Sequence, residues 1–407
     1  MEVGVTRLIQ GGVTSAQGFM ASGVHCGIKP QKKDLALVTS RVPAAAAGVF
    51  TSNKVKAAPV LLSMERIKTG LGRAVILNSG NANACTGEQG MRDAREMARL
   101  TAEHLPLAEE LVYVCSTGQI GQYLPMEALR RGIPDAVRRL GPEGTAAAEA
   151  ILTTDTVPKA AAVQVAVGGQ VITLGGMTKG AGMIHPQMAT TLTVLTTDAT
   201  VAPAVLQAAL RRAADQSYNR ISVDGDRSTN DTILHFANGE AGAPEIAASG
   251  DGLDAFQAAL NALTLGLAKS VARDGEGATK LITVTVEGAE TDEDAQRAAF
   301  AVANSPLVKT AVHGGGASWG WGRIMAAVGY SGANVQMDRE LVRIGPVVVA
   351  ERGIAAAGPE RNEEAGEHLA GDDVQVAVDL GLGRGEATVY TCDLSEEYVR
   401  ENAGVVS

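Results

Sequence analysis

The chain has 407 residues, with 35 Lys and Arg against 45 Asp and Glu, a formal net charge of -10. That acidic balance argues against a nucleic-acid or anionic-membrane surface, both of which favour basic patches, and leaves a small molecule as the expected partner. Aromatic residues make up 3% of the chain while 45% is hydrophobic, so the core must be packed by Ala, Val, Leu and Ile, with 48 glycines supplying tight turns and close backbone approaches.

The length leads us to expect two domains. Cys26, Cys85, Cys115 and Cys392 are scattered with no Cys-x-x-Cys pair, so neither a disulfide framework nor a zinc site is expected. The start, Met1 to Arg7, lacks the basic and apolar regions of a signal peptide, and no run of apolar residues is long enough for a membrane helix. A cytoplasmic protein is the expectation.

In chain order, Arg73 to Asn78 reads as a buried strand, followed by a helix through Ala94, Ala98, Thr101 and Leu105. Leu111 to Cys115 reads as a second strand, leading through Ser116-Thr117-Gly118-Gln119-Ile120-Gly121 into a helix that contains Ala128, Leu129 and Val137. Val163, Val165 and Val167 alternate up to Gly168-Gly169, and Val171 to Leu174 continue beyond, which predicts a hairpin with a primed turn. From Thr190 the run Thr191-Leu192-Thr193-Val194 alternates like a half-buried strand. Phe256, Leu260, Leu263 and Leu267 mark a long helix, Ile282, Val284 and Val286 a strand, and Ala295 to Val302 another helix. Val374 to Leu380 and Glu386 to Thr391 read as antiparallel strands joined by Gly381 to Gly385. Without a strict βαβ rhythm, a layered α+β fold rich in antiparallel sheet is expected over a doubly wound one.

Several motifs fail on context. Gly316-Ala317-Ser318-Trp319-Gly320 has the G-x-S-x-G pattern and follows His313-Gly314-Gly315, but the elbow needs a preceding strand and an oxyanion loop from a different segment. Asp224-Gly225-Asp226 opens like a calcium loop, yet Thr229 stands at its sixth position and His235 at its twelfth. The six histidines (His25, His104, His185, His235, His313 and His368) show no metal-ligand spacing, and no Walker or G-x-G-x-x-G loop is present.

The Ala189-Thr190 junction carries chemistry. Lys179-Gly180-Ala181-Gly182 and the turn-like residues after it give way to a strand at this point. A cut here would give Thr190 a free amine beside its own hydroxyl, which joins nucleophile and base in one residue. The hydroxyl alone is a weak nucleophile at neutral pH, whereas an α-amine titrates near 8 and can be neutral. β-Branching also restricts the orientations of the threonine oxygen. In the uncut chain the same oxygen could attack the Ala189 carbonyl to give an ester that water resolves.

Lys179 to Ile184 with Pro186 and Met188-Ala189-Thr190 resembles the self-cleavage motif of the ornithine acetyltransferase family, the glutamate N-acetyltransferases of arginine biosynthesis. Five further blocks resemble the family in its order: Asn78 to Gly87, Ser116-Thr117-Gly118, Thr153 to Thr156, Val223 to Asp226 with Ser228 to Asp231, and Ala272 to Gly277. The resemblance implies an α/β sandwich of mixed and antiparallel sheets layered with helices. It implies cleavage between Ala189 and Thr190 into an α chain of residues 1-189 and a β chain of 190-407, assembled as a heterotetramer of two of each. Thr190 resembles the nucleophile, Thr117 and Gly118 the pair at the oxyanion hole, and Thr153, Lys179, Thr190, Glu276, Asn402 and Ser407 the substrate-binding positions. The implied reaction moves acetyl from N2-acetylornithine to glutamate with no metal or organic cofactor. Acetyl-CoA stays open as a second donor, and a self-processed aminopeptidase or amidase is the alternative from another class.

Overall fold

The computed structural model describes residues 6-185, 191-315, 317-356 and 358-404, with the side chains of 317-319 and 359 outside that description. Two units divide it: Met1–Asn219 with Arg227–Val271, and Arg220–Asp226 with Ala272–Val405.

The first unit is built on a nine-stranded sheet. Its strands are β1 (Arg7–Ile9), β2 (Phe19–Val24), β3 (Leu35–Phe50), β4 (Leu71–Asn81), β5 (Val112–Gln119), β6 (Lys159–Val167), β7 (Gln170–Lys179), β8 (Leu192–Thr197) and β9 (Thr232–Ala237). They lie in the order β1-β6-β7-β8-β9-β3-β4-β5, with β2 beside β3. The pairings β8-β9 and β4-β5 are parallel and the others antiparallel. The helices are α1 (Ala58–Arg66), α2 (Gly87–His104), α3 (Met126–Arg138), α4 (Thr145–Ala150), α5 (Pro203–Gln216) and α6 (Asp251–Arg273).

Alternation places Leu35, Leu37, Ile76 and Val114 on one face, against Leu62 of α1, Met97 of α2 and Leu129 and Ile133 of α3. Ala36, Val38, Leu77 and Cys115 point the other way and pack with Ala147, Ala150 and Ile151. Because both faces are covered, these strands read as continuous apolar runs, and each large aliphatic side chain buried contributes about 1.5–3 kcal/mol. The same cover explains one departure from expectation. All of β8 is buried, not half of it, since β8 lies inside the sheet between β7 and β9.

The β6-β7 hairpin turns on Gly168 and Gly169 with φ of +57° and +83°, the left-handed pair that a primed turn requires. β3 is the longest strand at 16 residues, and its register shifts between Thr39 and Ala44, around Pro43, where a proline can be tolerated.

The second unit holds β10 (Leu281–Ala289), β11 (Leu341–Ile344), β12 (Val347–Glu351), β13 (Ile354–Ala355), β14 (Asp373–Asp379) and β15 (Gly385–Cys392). Its helices are α7 (Asp292–Ala303), α8 (Pro306–His313), α9 (Ala317–Gly329), α10 (Pro359–Ala370) and α11 (Glu396–Gly404). Val284, Val286, Val376 and Val378 pack with Ala295, Ala299 and Val302 of α7. Along β14 buried and exposed residues alternate, as expected for a sheet covered on one face. The sheet order is β13-β12-β11-β14-β10-β15. So β14 and β15 do run in opposite directions but do not pair: β10 lies between them, parallel to β14 and antiparallel to β15. The glycine-rich link therefore spans two strand spacings, about 10 Å, which five residues cover easily.

Candidate active site

Thr117 and Gly118 sit at the end of β5, in parallel register with Ser79 and Gly80 of β4. The chain beyond β4 is held by its own amides. Asn78 Nδ2 donates to the Asn81 carbonyl at 2.8 Å, Ser116 Oγ donates to Asn78 Oδ1 at 2.6 Å, and the Asn83 N-H donates to Asn81 Oδ1 at 2.8 Å. Thr86 Oγ1 donates to Asn83 Oδ1, and Asn83 Nδ2 donates to the Gly90 carbonyl, both at 2.8 Å. Burying amides costs several kcal/mol unless they are bonded, so a satisfied set of this kind fixes the loop in one conformation. Gly118 has φ of +129°, and a Cβ there would lie 2.3 Å from the Gly80 carbonyl carbon and 2.5 Å from the Asn81 nitrogen. Only glycine fits.

Asp155 gathers the remaining site residues of this unit. It is buried, and its oxygens accept from Lys159 Nζ and the Gly180 N-H at 2.7 Å each and from the Thr153 N-H at 3.0 Å. Lys179, the last residue of β7 and 3% exposed, places Nζ 4.0 Å from the other Asp155 oxygen and donates a long bond of 3.4 Å to Thr117 Oγ1. Burial alone would raise the Asp155 pKa, but the ammonium groups of Lys179 and Lys159 overcome it and hold the group to about 2. Two buried ammonium groups thus flank the buried Asp155 carboxylate.

Lys29 lies within electrostatic reach of Lys179 and Asp155. Its Nζ donates to the Leu152 carbonyl at 2.9 Å, beside Thr153. Burial lowers its pKa to about 8, with Lys32 and Lys179 acting in the same direction and Asp34 and Asp155 opposing. Thr117, Gly118, Thr153 and Lys179, expected from sequence, are thus brought together. Asp155, Lys159 and Lys29 were not singled out from sequence. Asp155 and Lys159 stand at i and i+4 where an irregular stretch enters β6, a spacing that means little until the fold buries both.

In the second unit Glu276 Oε2 accepts from Asn402 Nδ2 at 2.7 Å, and the same amide donates to the Tyr398 carbonyl at 3.0 Å. Close packing of α11 makes this pair possible. A Cβ on Gly277, whose φ is +67°, would lie 2.4 Å from the Tyr398 nitrogen. Burial, then the negative charges of Asp224, Glu276 and Asp226, push the Tyr398 phenol up to about 12. Ala189, Thr190 and Ser407 lie outside the described residues. Thr191, next to Thr190, donates its N-H to Asp231 Oδ1 at 3.1 Å. The G-x-S-x-G segment follows α8 and runs into α9, where residues 317-320 lie, so no strand precedes it and the serine-elbow reading is removed. Among the described residues no helix is long and apolar enough to cross a membrane.

A mixed α/β chain that gathers a hydroxyl, a glycine turn and buried ammonium groups has the donor set of an acyl-transfer enzyme. The ArgJ family model matches residues 20–407. The arginine biosynthesis bifunctional protein ArgJ of Symbiobacterium thermophilum is 53% identical over 398 residues, covering 97% of this chain and 98% of that protein. Its counterpart from Geobacter sulfurreducens is 52% identical over 391 residues, covering 96% and 99%. The crystal structure of ornithine acetyltransferase complexed with ornithine from Mycobacterium tuberculosis shares 47% identity, covers 45% of this chain and 98% of that chain, and superposes with a TM-score of 0.42. The chain belongs to the ArgJ family.

Proposed function

We propose that this chain is an acetyltransferase of arginine biosynthesis that moves the acetyl group of N2-acetylornithine to glutamate through an acetyl-Thr190 ester. Its substrates are small molecules. Identity above 50% across nearly the full length of two curated ArgJ proteins is the observation that carries this reading.

In the proposed cycle the chain first cleaves itself between Ala189 and Thr190. The Thr190 oxygen attacks the acetyl carbon while the Thr190 amine takes the hydroxyl proton, and the proton passes to the departing ornithine nitrogen. The glutamate amine then attacks the ester and gives up a proton to the Thr190 amine, which passes it to the departing Thr190 oxygen as N-acetylglutamate leaves. Negative charge develops on the acetyl oxygen in both steps, and the Thr117 hydroxyl and Gly118 N-H are the proposed donors to it, each worth about 100-fold or more in rate. Lys179 polarises the Thr117 hydroxyl, and with Thr153, Thr190, Glu276, Asn402 and Ser407 it completes the proposed substrate contacts. A cation, a carboxylate and neutral donors suit zwitterionic amino acids. Amine, hydroxyl and ester chemistry of this kind calls on no metal or organic cofactor.

The word "bifunctional" in the relatives' names supports a second reaction in which acetyl-CoA acetylates glutamate. A cytoplasmic location and an assembly of two α and two β chains complete the proposal. The test is intact mass and acetyl transfer on wild type and Thr190→Ala. Wild type should give two fragments and transfer acetyl from both donors, whereas the variant should stay one chain and transfer none. Maturation or transfer by the variant would overturn the assignment.

A further inference from the structure

The loop of Ser228 to Asp231, which precedes β9, touches both halves of the proposed chemistry. Asn230 is buried and its Nδ2 donates to the Ser116 carbonyl at 2.8 Å and to the Ala82 carbonyl at 2.6 Å. Ser116 immediately precedes Thr117. The next side chain, Asp231, is 1% exposed and accepts the Thr191 N-H at 3.1 Å. That nitrogen belongs to the residue that follows Thr190 in the sequence. One dipeptide therefore grips the oxyanion loop with one side chain and the start of the nucleophile strand with the other.

The grip is itself held. Thr51 Oγ1 donates to the Ser228 carbonyl at 2.8 Å, the Asn230 N-H to Ser228 Oγ at 3.0 Å, Thr229 Oγ1 to Asn230 Oδ1 at 2.6 Å, and the Thr51 N-H to the Asp231 carbonyl at 3.0 Å. The Thr232 N-H then bonds the Thr191 carbonyl at 3.0 Å as the β8-β9 ladder begins. Among the described residues, Asp231 Oδ2 and Thr191 Oγ1 are buried without a hydrogen-bond partner. A buried carboxyl that satisfies only one of its oxygens is expensive for the fold. Burial also pushes its pKa well above the usual carboxylate range, against the opposing pull of the Thr191 N-H.

We propose that Asn230 and Asp231 are positioning residues that set the separation between the Thr117-Gly118 oxyanion donors and Thr190, for self-cleavage and for acetyl transfer alike. The inference rests on Thr190 being the nucleophile. In both reactions the attacked carbonyl must lie between the threonine oxygen and the same donors, and a displacement of about 1 Å costs on the order of 100-fold.

The test uses the full-length chain as Asn230→Ala, Asp231→Ala and Asp231→Asn, with Thr190→Ala alongside. Precursor decay is followed by intact mass, and kcat and KM for acetylornithine are measured on fully cleaved protein, with thermal melting as the control for folding. Asn230→Ala and Asp231→Ala should slow cleavage and lower kcat by about 100-fold while KM moves less than about threefold. Asp231→Asn retains the acceptor for the Thr191 N-H and should recover cleavage to within about tenfold of wild type. Wild-type cleavage in either alanine variant overturns the proposal, as does a loss expressed in KM. An Asp231→Asn variant as slow as Asp231→Ala also overturns it, because the carboxyl would then act through its proton and not as an anchor. If Asp231→Ala fails to fold, Asn230→Ala carries the decision. Maturation of Thr190→Ala would sink the assignment of the nucleophile instead, whatever the brace variants do.

Discussion

Replacing Gly118 by alanine tests how finely the oxyanion position is set. The new Cβ would lie 2.3 Å from the Gly80 carbonyl carbon, and ordinary contact begins at 3.4 Å, so the ends of β4 and β5 must part by about 1.1 Å (3.4 − 2.3). Gly80 cannot yield by rotating a side chain, because the obstructing atoms are backbone. The residue must also hold φ of +129°, a region L residues rarely adopt, at about 1–2 kcal/mol. Overpacking adds about 1–3 kcal/mol, giving a total destabilisation of about 2–5 kcal/mol. Thr117 moves with its neighbour, and a misplacement of about 1 Å predicts a fall in kcat of about 100-fold. The assay is acetyl transfer at saturating acetylornithine and glutamate on cleaved protein, with thermal melting on the same samples. A Gly118→Ala enzyme with kcat within twofold of wild type and an unchanged melting temperature would refute the argument.

Other variants probe the cations and the core. Lys179→Met removes a charged donor whose hydrogen bonds are worth about 1.5–3 kcal/mol, so steady-state kinetics should show kcat/KM for glutamate down about 10-fold to 100-fold; an unchanged value would remove Lys179 from the site. Lys159→Met leaves Asp155 buried without its close ion pair at 2.7 Å and should cost about 3 kcal/mol in urea unfolding. His235, fully buried with neither ring nitrogen partnered among the described residues and stacked on Phe256, has its pKa lowered by burial to about 3. The unfolded chain then binds the proton that the folded one refuses, so stability falls as pH drops from 6.5 toward 3, by about 1.4 kcal/mol per pH unit. His235→Leu should lower the acid-unfolding midpoint, followed by circular dichroism, by about one pH unit or more; an unmoved midpoint would refute this.

Local pattern made the hairpin of β6 and β7 legible, since alternation and two glycines are contained in adjacent residues. The strand β3 gave no such signal, because Ala44 to Ala47 carry no alternation and a strand buried on both faces needs none. The pairing of β14 and β15 was misjudged for a related reason: nothing within Val374 to Thr391 reports that β10, from nearly a hundred residues earlier, inserts between them. At the site, resemblance picked out the residues with direct roles in the proposed chemistry. It placed Asp155 and Asn230 within its blocks without giving them a role, and it passed over Lys159 and Lys29; the significance of all four lies in what they hold. Their partners are distant in sequence, as with Asn230 and Ser116, and only the folded sheet brings them together.

Sheet order carries a consequence for how the chain must be made. β8 and β9 lie after residue 190, yet they sit in the middle of the sheet, between β7 on one side and β3 on the other. Residues 1-189 alone would form two half-sheets facing an empty slot, each with a raw edge of unpaired backbone groups, and such edges invite aggregation. On the proposed cleavage after Ala189, folding must therefore precede scission. The two proposed pieces would stay interleaved through the ladders of β7 with β8 and of β9 with β3. They would then be a single kinetic object, able to exchange partners only by unravelling the sheet that built the site.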